Sequence, residues 1–371
     1  MKKCQALALS SLVALAATSS AVHAQSNVSI SGFLDLGVSK KSGQSTQLGS
    51  LGRNNIALAG EEDLGGGLKA TFRLSTRFEM DTGRLETAPV GQRQFWQDES
   101  TVGIKGGFGS VRLGRALAPL NNTNWLFDPW YAFDRIGSPM FRMTGPDFLI
   151  SPGNVASPTG VDLDYTRLSN AVFYESPVFA GFQLMLNASM EKGASDLQKG
   201  RAIALKYTNG DFGAIVDAEQ NSQRDKLLFV GASYKIGDLG LMGSYNHTRL
   251  NPNGSVYGAG WTNWAAASDP TTKRTSLTLG ATYPVGVGTL RVGFGRDFQG
   301  STNYFNYIGS SFVNSGTNYS GATNFYSVGY SYPLSKRTTI NASLARENWK
   351  FVDDNGRTSA TGVALGMTHA F

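Results

Sequence analysis

The strongest pattern in the chain is a two-residue alternation of large apolar residues with small or polar ones. Residues 358–371 show it, with Val363 and Leu365 alternating with glycine and alanine. Residues 28–39 show the same alternation, with serine and Asp35 on the polar side. Successive side chains of a β-strand point to opposite faces, so both segments predict two-faced strands. A first and a last strand of this kind indicate a sheet that closes on itself.

Segments with this alternation recur through the chain and predict an all-β protein. Most are about as long as the ~9–11 residues that a tilted membrane strand needs. The sixteen candidate strands are residues 28–39, 53–60, 66–78, 94–105, 109–117, 169–176, 181–190, 200–208, 211–220, 226–237, 239–249, 274–284, 287–298, 323–333, 337–350 and 358–371.

The connectors between these strands alternate between short and long. The short ones, such as Asn209-Gly210, carry the Gly, Pro, Asn and Asp residues that tight turns require. A soluble sandwich gives no reason for this alternation, whereas an outer-membrane barrel has short periplasmic turns and long outer loops. The pattern therefore favours a 16-stranded antiparallel transmembrane β-barrel with both termini on the short-turn side. The long connectors are residues 40–52, 79–93, 118–168, 191–199, 221–225, 250–273, 299–322 and 351–357.

Residues 1–24 predict a cleaved export signal rather than part of the fold. Two lysines precede a short apolar run at 7–17, and the small-residue sequence A-V-H-A ends at Ala24. This pattern is typical of a Sec-type signal peptide that is cleaved after Ala24, and residues 25–371 would then form the barrel. The single cysteine, Cys4, lies inside the signal, so the exported chain has no disulfide.

Composition agrees with a membrane barrel. Charged residues make up 16% of the chain, against about 25% in soluble domains, and there are 45 glycines, 21 phenylalanines and 14 tyrosines. Beyond the signal, no apolar stretch is long enough for a membrane helix, and a closed barrel is the other backbone arrangement that crosses lipid. The net charge of +6 is mild and gives little support for nucleic-acid binding.

Four stretches carry a resemblance to a known family. They are G-E-E-D-L-G-G-G-L-K-A-T-F at 60–72, V-G-I-K-G-G-F-G-S-V-R-L-G-R at 102–115, S-N-A-V-F-Y-E-S-P at 169–177 and G-M-T-H-A-F at 366–371. With these motifs the chain resembles the Gram-negative general porins, which are sixteen-stranded and trimeric. The resemblance implies a homotrimer in the lipid and lipopolysaccharide of the outer membrane, with a water-filled channel for ions and small hydrophilic solutes. It also implies that the outer-membrane assembly machinery reads the strand that ends at Phe371.

The longest connector, residues 118–168, follows the fifth predicted strand. A loop of about fifty residues in a compact domain is usually functional. Its position matches the third loop of the porins, which the resemblance implies is folded inward as a constriction. An external flap at a subunit contact or at the cell surface is the alternative. The charges that this loop would bring to the pore are Asp128, Asp134, Arg135, Arg142 and Asp147.

Strand parity predicts which wall charges face water. In residues 66–78, Phe72 and Leu74 would face lipid, so Arg73 and Arg77 would face the lumen. An arginine facing lipid at mid-membrane would cost about 2–4 kcal/mol, which favours this register strongly. Facing rows of arginine and aspartate would set up a transverse field that selects solutes by charge, although each charge could equally be a solvated lumen residue. The same count places Asp35, Arg53 and Arg112 inside.

The sequence departs from its relatives at the expected constriction. Family members often carry arginine at the positions of Asn55, Asp98 and Phe173, and this chain lacks all three. We therefore expect a weakly selective or substrate-specific channel rather than a strongly anion-selective one. The register at Asp98 stays open, because an outward Val102 and Ile104 would turn Asp98 outward too. The arginines that could compensate are Arg53, Arg73, Arg77, Arg112 and Arg167.

Two other functional classes, an outer-membrane hydrolase and a barrel adhesin or receptor, fit less well. A hydrolase needs a histidine with a serine or acidic partner, whereas His247 and His369 both face outward by parity, near opposite rims. The long connectors would suit an adhesin or receptor, but no plug domain precedes the first predicted strand. No metal-ligand spacing is present. The sequence therefore predicts a channel with no catalytic residue, no metal and no cofactor.

Overall fold

The computed structural model describes residues 27–85, 94–132, 134–143, 167–192, 197–222, 224–249, 273–298, 305–308, 311–314, 323–349 and 357–371. Sixteen antiparallel strands in these ranges form one closed barrel. This confirms the predicted all-β, 16-stranded architecture. The predicted signal peptide and Asp147 lie outside the described residues.

Each barrel strand pairs with the barrel strands that come before and after it in the sequence, and the first strand pairs with the last. The barrel strands are β1 (Asn27–Lys41), β3 (Asn54–Gly65), β4 (Leu68–Phe78), β5 (Glu99–Gly106), β6 (Gly109–Leu117), β7 (Arg167–Glu175), β8 (Phe182–Ser189), β9 (Arg201–Asn209), β10 (Phe212–Gln220), β11 (Lys226–Ile236), β12 (Leu239–Arg249), β13 (Lys273–Val285), β14 (Gly288–Asp297), β17 (Thr323–Pro333), β18 (Thr338–Trp349) and β19 (Ser359–Ala370). Short extra strands lie in two long connectors: β2 (Gln47–Gly49), which pairs with β1, and the hairpin of β15 (Phe305–Ile308) and β16 (Ser311–Asn314).

The barrel closes where the first strand meets the last. β1 and β19 pair in one continuous register from Phe33 opposite Ala370 to Lys41 opposite Gly362. Beyond Phe33, the backbones of Gly32 and Phe371 exchange two hydrogen bonds of 3.0 and 3.1 Å. A β-carbon at residue 32 would lie 2.3 Å from the Phe371 ring, so only glycine fits this contact. The terminal aromatic residue is thus part of the closing seam.

The barrel is apolar outside and polar inside. In β19, Leu365 is 59% exposed on the outer surface, while Ala364 is 8% exposed beneath the inner loop. In β12 and β13, Ser244, Asn246 and Thr278 are buried on the inner side. Soluble monomers rarely expose apolar patches beyond a few hundred Å², whereas an outward apolar band is what lipid requires. Within the described residues, no helix has the length and apolar character needed to cross a membrane.

Aromatic rings form a girdle at the short-turn end of four adjacent strands. Ring centroids are separated by 4.5 Å between Phe182 and Tyr207, 6.1 Å between Tyr207 and Phe212, and 6.4 Å between Phe212 and Tyr234. The turn between the second and third of these strands contains Gly210 with φ of +56°, a conformation that glycine adopts without strain. Such girdles are typical of the interface between lipid and water.

The predicted strand at 94–105 is wrong at its start, because β5 begins only at Glu99. Gln97 is fully buried, and its side-chain amide donates a 3.2 Å hydrogen bond to the carbonyl of Arg77. Its own carbonyl accepts a 2.8 Å hydrogen bond from the Arg115 guanidinium. Side-chain contacts therefore replace the strand ladder here, and periodicity alone does not detect them.

Candidate functional site

The connector after β6 folds into the barrel. It contains the helix α1 (Pro119–Thr123), a 3-10 helix (Asn124–Phe127) and the helix α2 (Pro139–Met143), none of which the alternation pattern predicted. Phe127 and Phe229 of β11 are both buried, with ring centroids 6.1 Å apart. Met140 packs in the same cluster, against the inner wall. For residues 118–132 and 134–143, the predicted inward fold of this loop is confirmed.

Polar contacts attach the loop to the far wall. The Arg135 backbone N–H donates to the Leu51 carbonyl at 2.8 Å, and its guanidinium pairs with Glu79 at 3.5 Å. Arg142 forms a bidentate pair with Glu347 of β18, with distances of 2.5 and 2.7 Å. Bidentate pairs of this kind are among the stronger polar contacts in proteins. The described part of the loop therefore crosses from β6 to β18.

Asp128 organises the interior of the loop. One carboxylate oxygen accepts hydrogen bonds from the backbone N–H groups of Trp130 at 2.8 Å and Ala132 at 3.1 Å. The other accepts from the Ser138 hydroxyl and the Met140 backbone N–H, both at 2.9 Å. Burial raises the pKa of the Asp128 carboxyl, although these four donors act in the opposite direction. Its two oxygens thereby link the backbone of Trp130 and Ala132 to the start of α2.

The expectation that Asp128 presents its charge to the pore is wrong. Asp128 is only 1% exposed. Its carboxylate serves as the acceptor that the buried backbone N–H groups around it need. Arg135 and Arg142 are likewise held between loop and wall, with side chains 10% and 14% exposed, so they act as loop anchors. Asp134 also faces the wall, and its carboxylate accepts a 2.6 Å hydrogen bond from Ser343.

A cavity of about 430 Å³ lies between this loop and the wall of strands β1 and β3–β5. Backbone register places Phe33 opposite Asn55 and Asn55 opposite Arg77, so the three residues form one row across β1, β3 and β4. The cavity combines basic, acidic and aromatic groups. Its lining residues are Phe33, Arg53, Asn55, Arg73, Arg77, Asp98, Glu99, Leu117, Asn121, Asn122 and Trp125.

Asp98 lies on the inner side of this wall. Its carboxylate pairs with Arg77 at 2.7 Å and Arg167 at 2.5 Å and accepts a 2.7 Å hydrogen bond from the Ser75 hydroxyl. Burial favours the neutral acid, but the two guanidinium groups and the hydroxyl outweigh it and hold the pKa of Asp98 well below its usual range. The sequence could not fix this orientation, because Asp98 lies before the regular part of β5. The two-residue alternation of side chains applies only within a regular strand.

Two further acids partner the arginines of the wall. Glu99 pairs with Arg73 at 3.2 Å and with Arg112 at 2.6 Å. Arg112 also pairs with Glu175 at 2.9 Å. The sequence analysis missed both acids, although the parity of β5 places Glu99 on the inner face. Phe173, a position where relatives often carry arginine, is buried, and the Arg112 guanidinium lies 5.5 Å from its ring centroid.

Two more cavities adjoin the first. Toward the short-turn end of the barrel lies a space of about 960 Å³. Arg73 and Glu99 line both this space and the first cavity, and Arg112 lines this space only. On the other side of the first cavity, a space of about 240 Å³ shares Phe33 with it and is lined also by Asp35, Asp134, Tyr131 and Arg291. Because the three spaces share lining residues, they lie next to one another along the inner loop, and together they are called the pathway.

Asp35 has a structural position in this pathway. One of its carboxylate oxygens accepts the backbone N–H groups of Leu51 and Gly52 at 2.6 and 2.7 Å. Its carboxylate therefore fixes the segment that precedes β3 and carries Arg53. The roles of these lining residues in permeation stay predictions.

The two histidines within the described ranges each contact a threonine hydroxyl. His247 contacts the Thr275 hydroxyl at 3.0 Å and His369 contacts the Thr338 hydroxyl at 2.9 Å, at opposite ends of the barrel. The described residues include no group of three or more His, Cys, Asp or Glu side chains arranged to hold a metal ion.

Comparison with known proteins identifies the family. The family model described as Gram-negative porin matches residues 11–370. Outer membrane porin protein 32 of Delftia acidovorans is 29% identical over 97% of this chain and 99% of its own length. The major outer membrane protein P.IB of Neisseria gonorrhoeae is 25% identical over the same shares of the two chains.

Solved structures agree in fold. The anion-selective porin from Comamonas acidovorans superposes with a TM-score of 0.69 at 26% identity, covering 94% of this chain and 100% of that one. A trimer form of OmpT from Vibrio cholerae gives a TM-score of 0.61 at 12% identity, with 93% and 99% covered. The second likeness concerns the fold alone.

Proposed function

This chain belongs to the family of Gram-negative porins. We propose that its channel discriminates only weakly between anions and cations. The protein is an outer-membrane porin, and its barrel provides a channel for passive diffusion. A relative of the same fold is described as anion-selective. The preference of this chain depends on its own wall charges.

The pairing of the wall arginines supports weak selectivity. Asp98 neutralises charge on Arg77 and Arg167, and Glu99 is shared between Arg73 and Arg112. A paired guanidinium contributes less to the field in the lumen than an isolated one, since the nearby carboxylate cancels much of its potential. Five arginines, namely Arg53, Arg73, Arg77, Arg112 and Arg167, thus share the wall with three acids, Asp98, Glu99 and Glu175. Among these eight described side chains the excess positive charge is small, and we infer a mild anion preference from it.

Reversal potentials across planar bilayers under a KCl gradient test this proposal. We expect the wild type to show a small potential of the sign that anion preference gives. Asp98→Asn and Glu99→Gln should each move it further toward anions, because each releases arginine charge into the lumen. Asp211→Asn, in an exposed short turn, is the matched control and should leave the potential unchanged. A wild-type potential close to the ideal anionic limit would refute the proposal.

We further propose that the barrel assembles as a homotrimer in the lipid and lipopolysaccharide of the outer membrane. Membership of the Gram-negative porin family supports this state, because the resemblance to these porins implies trimers. We also propose that the assembly machinery recognises the strand ending at Phe371, whose backbone closes the barrel with Gly32. Mass measurement of the detergent-extracted protein tests the trimer, and a purely monomeric species would contradict it. For the strand, Phe371→Ala should lower the amount of assembled barrel in isolated outer membranes.

We propose Sec export with cleavage after Ala24, and amino-terminal sequencing of the mature protein should begin at Gln25. We also propose that the channel has no catalytic activity, in keeping with a family of channels. Lipolytic assays on the purified protein should show no turnover, whereas single-channel recordings should show discrete conductance steps.

A further inference from the structure

Aromatic side chains line the pathway beside its arginines. Phe33 points inward from β1, although the lumen side of an outer-membrane barrel strand is normally polar. Trp125 of the inner loop lines the same 430 Å³ cavity. We propose that this cavity is a binding site for small aromatic carboxylates. The inference rests on the proposed channel function and adds a solute class to it.

Phe33 holds a central place in the pathway. It lines both the arginine cavity and the adjoining 240 Å³ space, so a solute that moves between them passes its ring. Asn55 lies opposite it on β3 and supplies a polar group at the same level. The position is set by the barrel register, because β1 is fixed on its other side by the seam with β19.

Trp125 supplies the apolar surface on the loop side. Its indole N–H donates a 2.8 Å hydrogen bond to the carbonyl of Asn122, so this polar group already has a partner. The residue is 40% exposed, which leaves part of the ring system open to the cavity. Aromatic rings prefer offset-stacked or edge-to-face contacts with other rings, and a planar solute gains such contacts here.

Arg73 supplies the charge for a carboxylate. Its side chain is 40% exposed, and its partner Glu99 is shared with Arg112. A solute carboxylate can therefore approach Arg73 while Glu99 keeps its shorter pair with Arg112. Guanidinium groups match planar carboxylates, so this contact orients the acid end of the solute.

Tyr131 offers a further aromatic surface along the route. It lines the adjoining space together with Phe33, is 51% exposed and has a φ of +57°. Bulky residues rarely adopt this backbone conformation, and such strain clusters at ligand sites. The Arg291 guanidinium lies 5.0 Å from its ring centroid, so a cation again lies beside an aromatic face.

The site has the size and the weakness that a channel requires. Small-molecule sites commonly have volumes of about 300–1,000 Å³, and the cavity falls in this range. Permeation also demands that the solute can leave, so binding should be fast and reversible. We therefore expect a measurable delay of aromatic acids in the channel rather than permanent block.

Solute-induced current reduction in single channels tests the site. Benzoate, cyclohexanecarboxylate, acetate and benzyl alcohol are added at equal concentration in KCl to the intact wild-type channel. Benzoate should lower the current more than each of the others, because only benzoate has both an aromatic ring and a carboxylate. Replacement of the ring by cyclohexane should weaken the effect by about two- to tenfold, the range expected for one aromatic contact.

Phe33→Leu is the decisive variant, since it keeps an apolar side chain and removes the aromatic face. Its benzoate effect should fall toward that of cyclohexanecarboxylate, because only the Trp125 ring remains in the cavity, while conductance in KCl alone shows that the barrel is intact. Phe179→Leu, on a ring that is 82% exposed in a short connector, is the matched control and should behave as wild type.

The outcomes separate this inference from the proposed weak selectivity. Equal effects of benzoate and cyclohexanecarboxylate, or an unchanged benzoate effect in Phe33→Leu, would overturn the aromatic site. Neither result alters the reversal potential in KCl, which judges the weak selectivity independently. Conversely, a strongly anion-selective wild type with a clear benzoate preference would leave the aromatic site standing.

Discussion

Removal of the Asp128 carboxylate should release the inner loop. This side chain accepts four hydrogen bonds within the loop, from Trp130, Ala132, Ser138 and Met140. In Asp128→Ala all four donors lose their acceptor, and three of them are backbone N–H groups that cannot turn away. The variant therefore tests whether the shape of the loop depends on one buried group.

The magnitude follows from these four contacts. An unsatisfied buried donor costs about 1–3 kcal/mol, so the three backbone donors alone cost about 3 kcal/mol at the low end of that range before any relaxation. Asp128→Asn keeps one accepting oxygen and should lose about half as much. The ion pairs of Arg135 and Arg142 remain, so we expect the turn between them and Asp128 to open while the loop ends stay attached.

Single-channel recording and limited proteolysis measure this opening. Asp128→Ala should raise current noise and change the mean conductance, because the loop occupies the lumen. Chymotrypsin should cut the detergent-solubilised variant after Trp130 or Tyr131, which lie in the turn that opens, faster than it cuts the wild type. Asp211→Ala, in an exposed short turn, controls for the loss of a surface charge. Wild-type noise and cleavage rates in Asp128→Ala would show that packing of Phe127 against Phe229 holds the loop by itself, and would refute the reasoning.

Three further variants follow from the same contacts. Arg142→Ala leaves Glu347 buried without its bidentate partner and should weaken loop docking by about 3–5 kcal/mol, seen as faster proteolysis, while the added change Glu347→Gln should restore part of it. Gly231→Val would place a β-carbon about 2.5 Å from the Phe127 ring and should displace the 3-10 helix, which altered conductance would report. For Asp98, the folded pKa lies below the ordinary value of 3.8, so its stabilisation is fully present above that pH and is lost only as the pH falls toward the folded pKa. The difference in thermal stability between wild type and Asp98→Asn should therefore stay constant from neutral pH to about pH 5 and shrink in stronger acid; a difference that already shrinks near pH 6 would contradict this assignment.

The strands and their faces could be predicted because lipid imposes a simple rule. Leu365 and Ala364 are neighbours in sequence and lie on opposite surfaces, as the two-residue period requires. The rule also places Arg73 and Arg77 in the lumen, since neither arginine can face the bilayer centre at low cost. Each of these inferences needs only the residue and its nearest neighbours along the strand.

The inner loop could not be predicted in the same way. Asp128 has no signal in its local sequence that distinguishes a pore charge from a buried acceptor. Its environment depends on Met140, which lies twelve residues further along the chain. It also depends on the packing of the loop against β11, which only the folded barrel brings about. Asp98 shows the same limit at a strand end, because its orientation is set by Arg167, which is distant in the chain.

The acids of the wall are the physical basis of the weak selectivity proposed above. Asp98 and Glu99 each bridge two arginines, so each carboxylate holds its partners in place and reduces the field that they project into water. A wall arranged in this way discriminates little by charge alone, because a small anion finds each arginine already partnered. A solute that also stacks on Phe33 gains a contact that inorganic anions lack. In this channel, therefore, the shape and aromaticity of an organic acid should matter more for its passage than its charge.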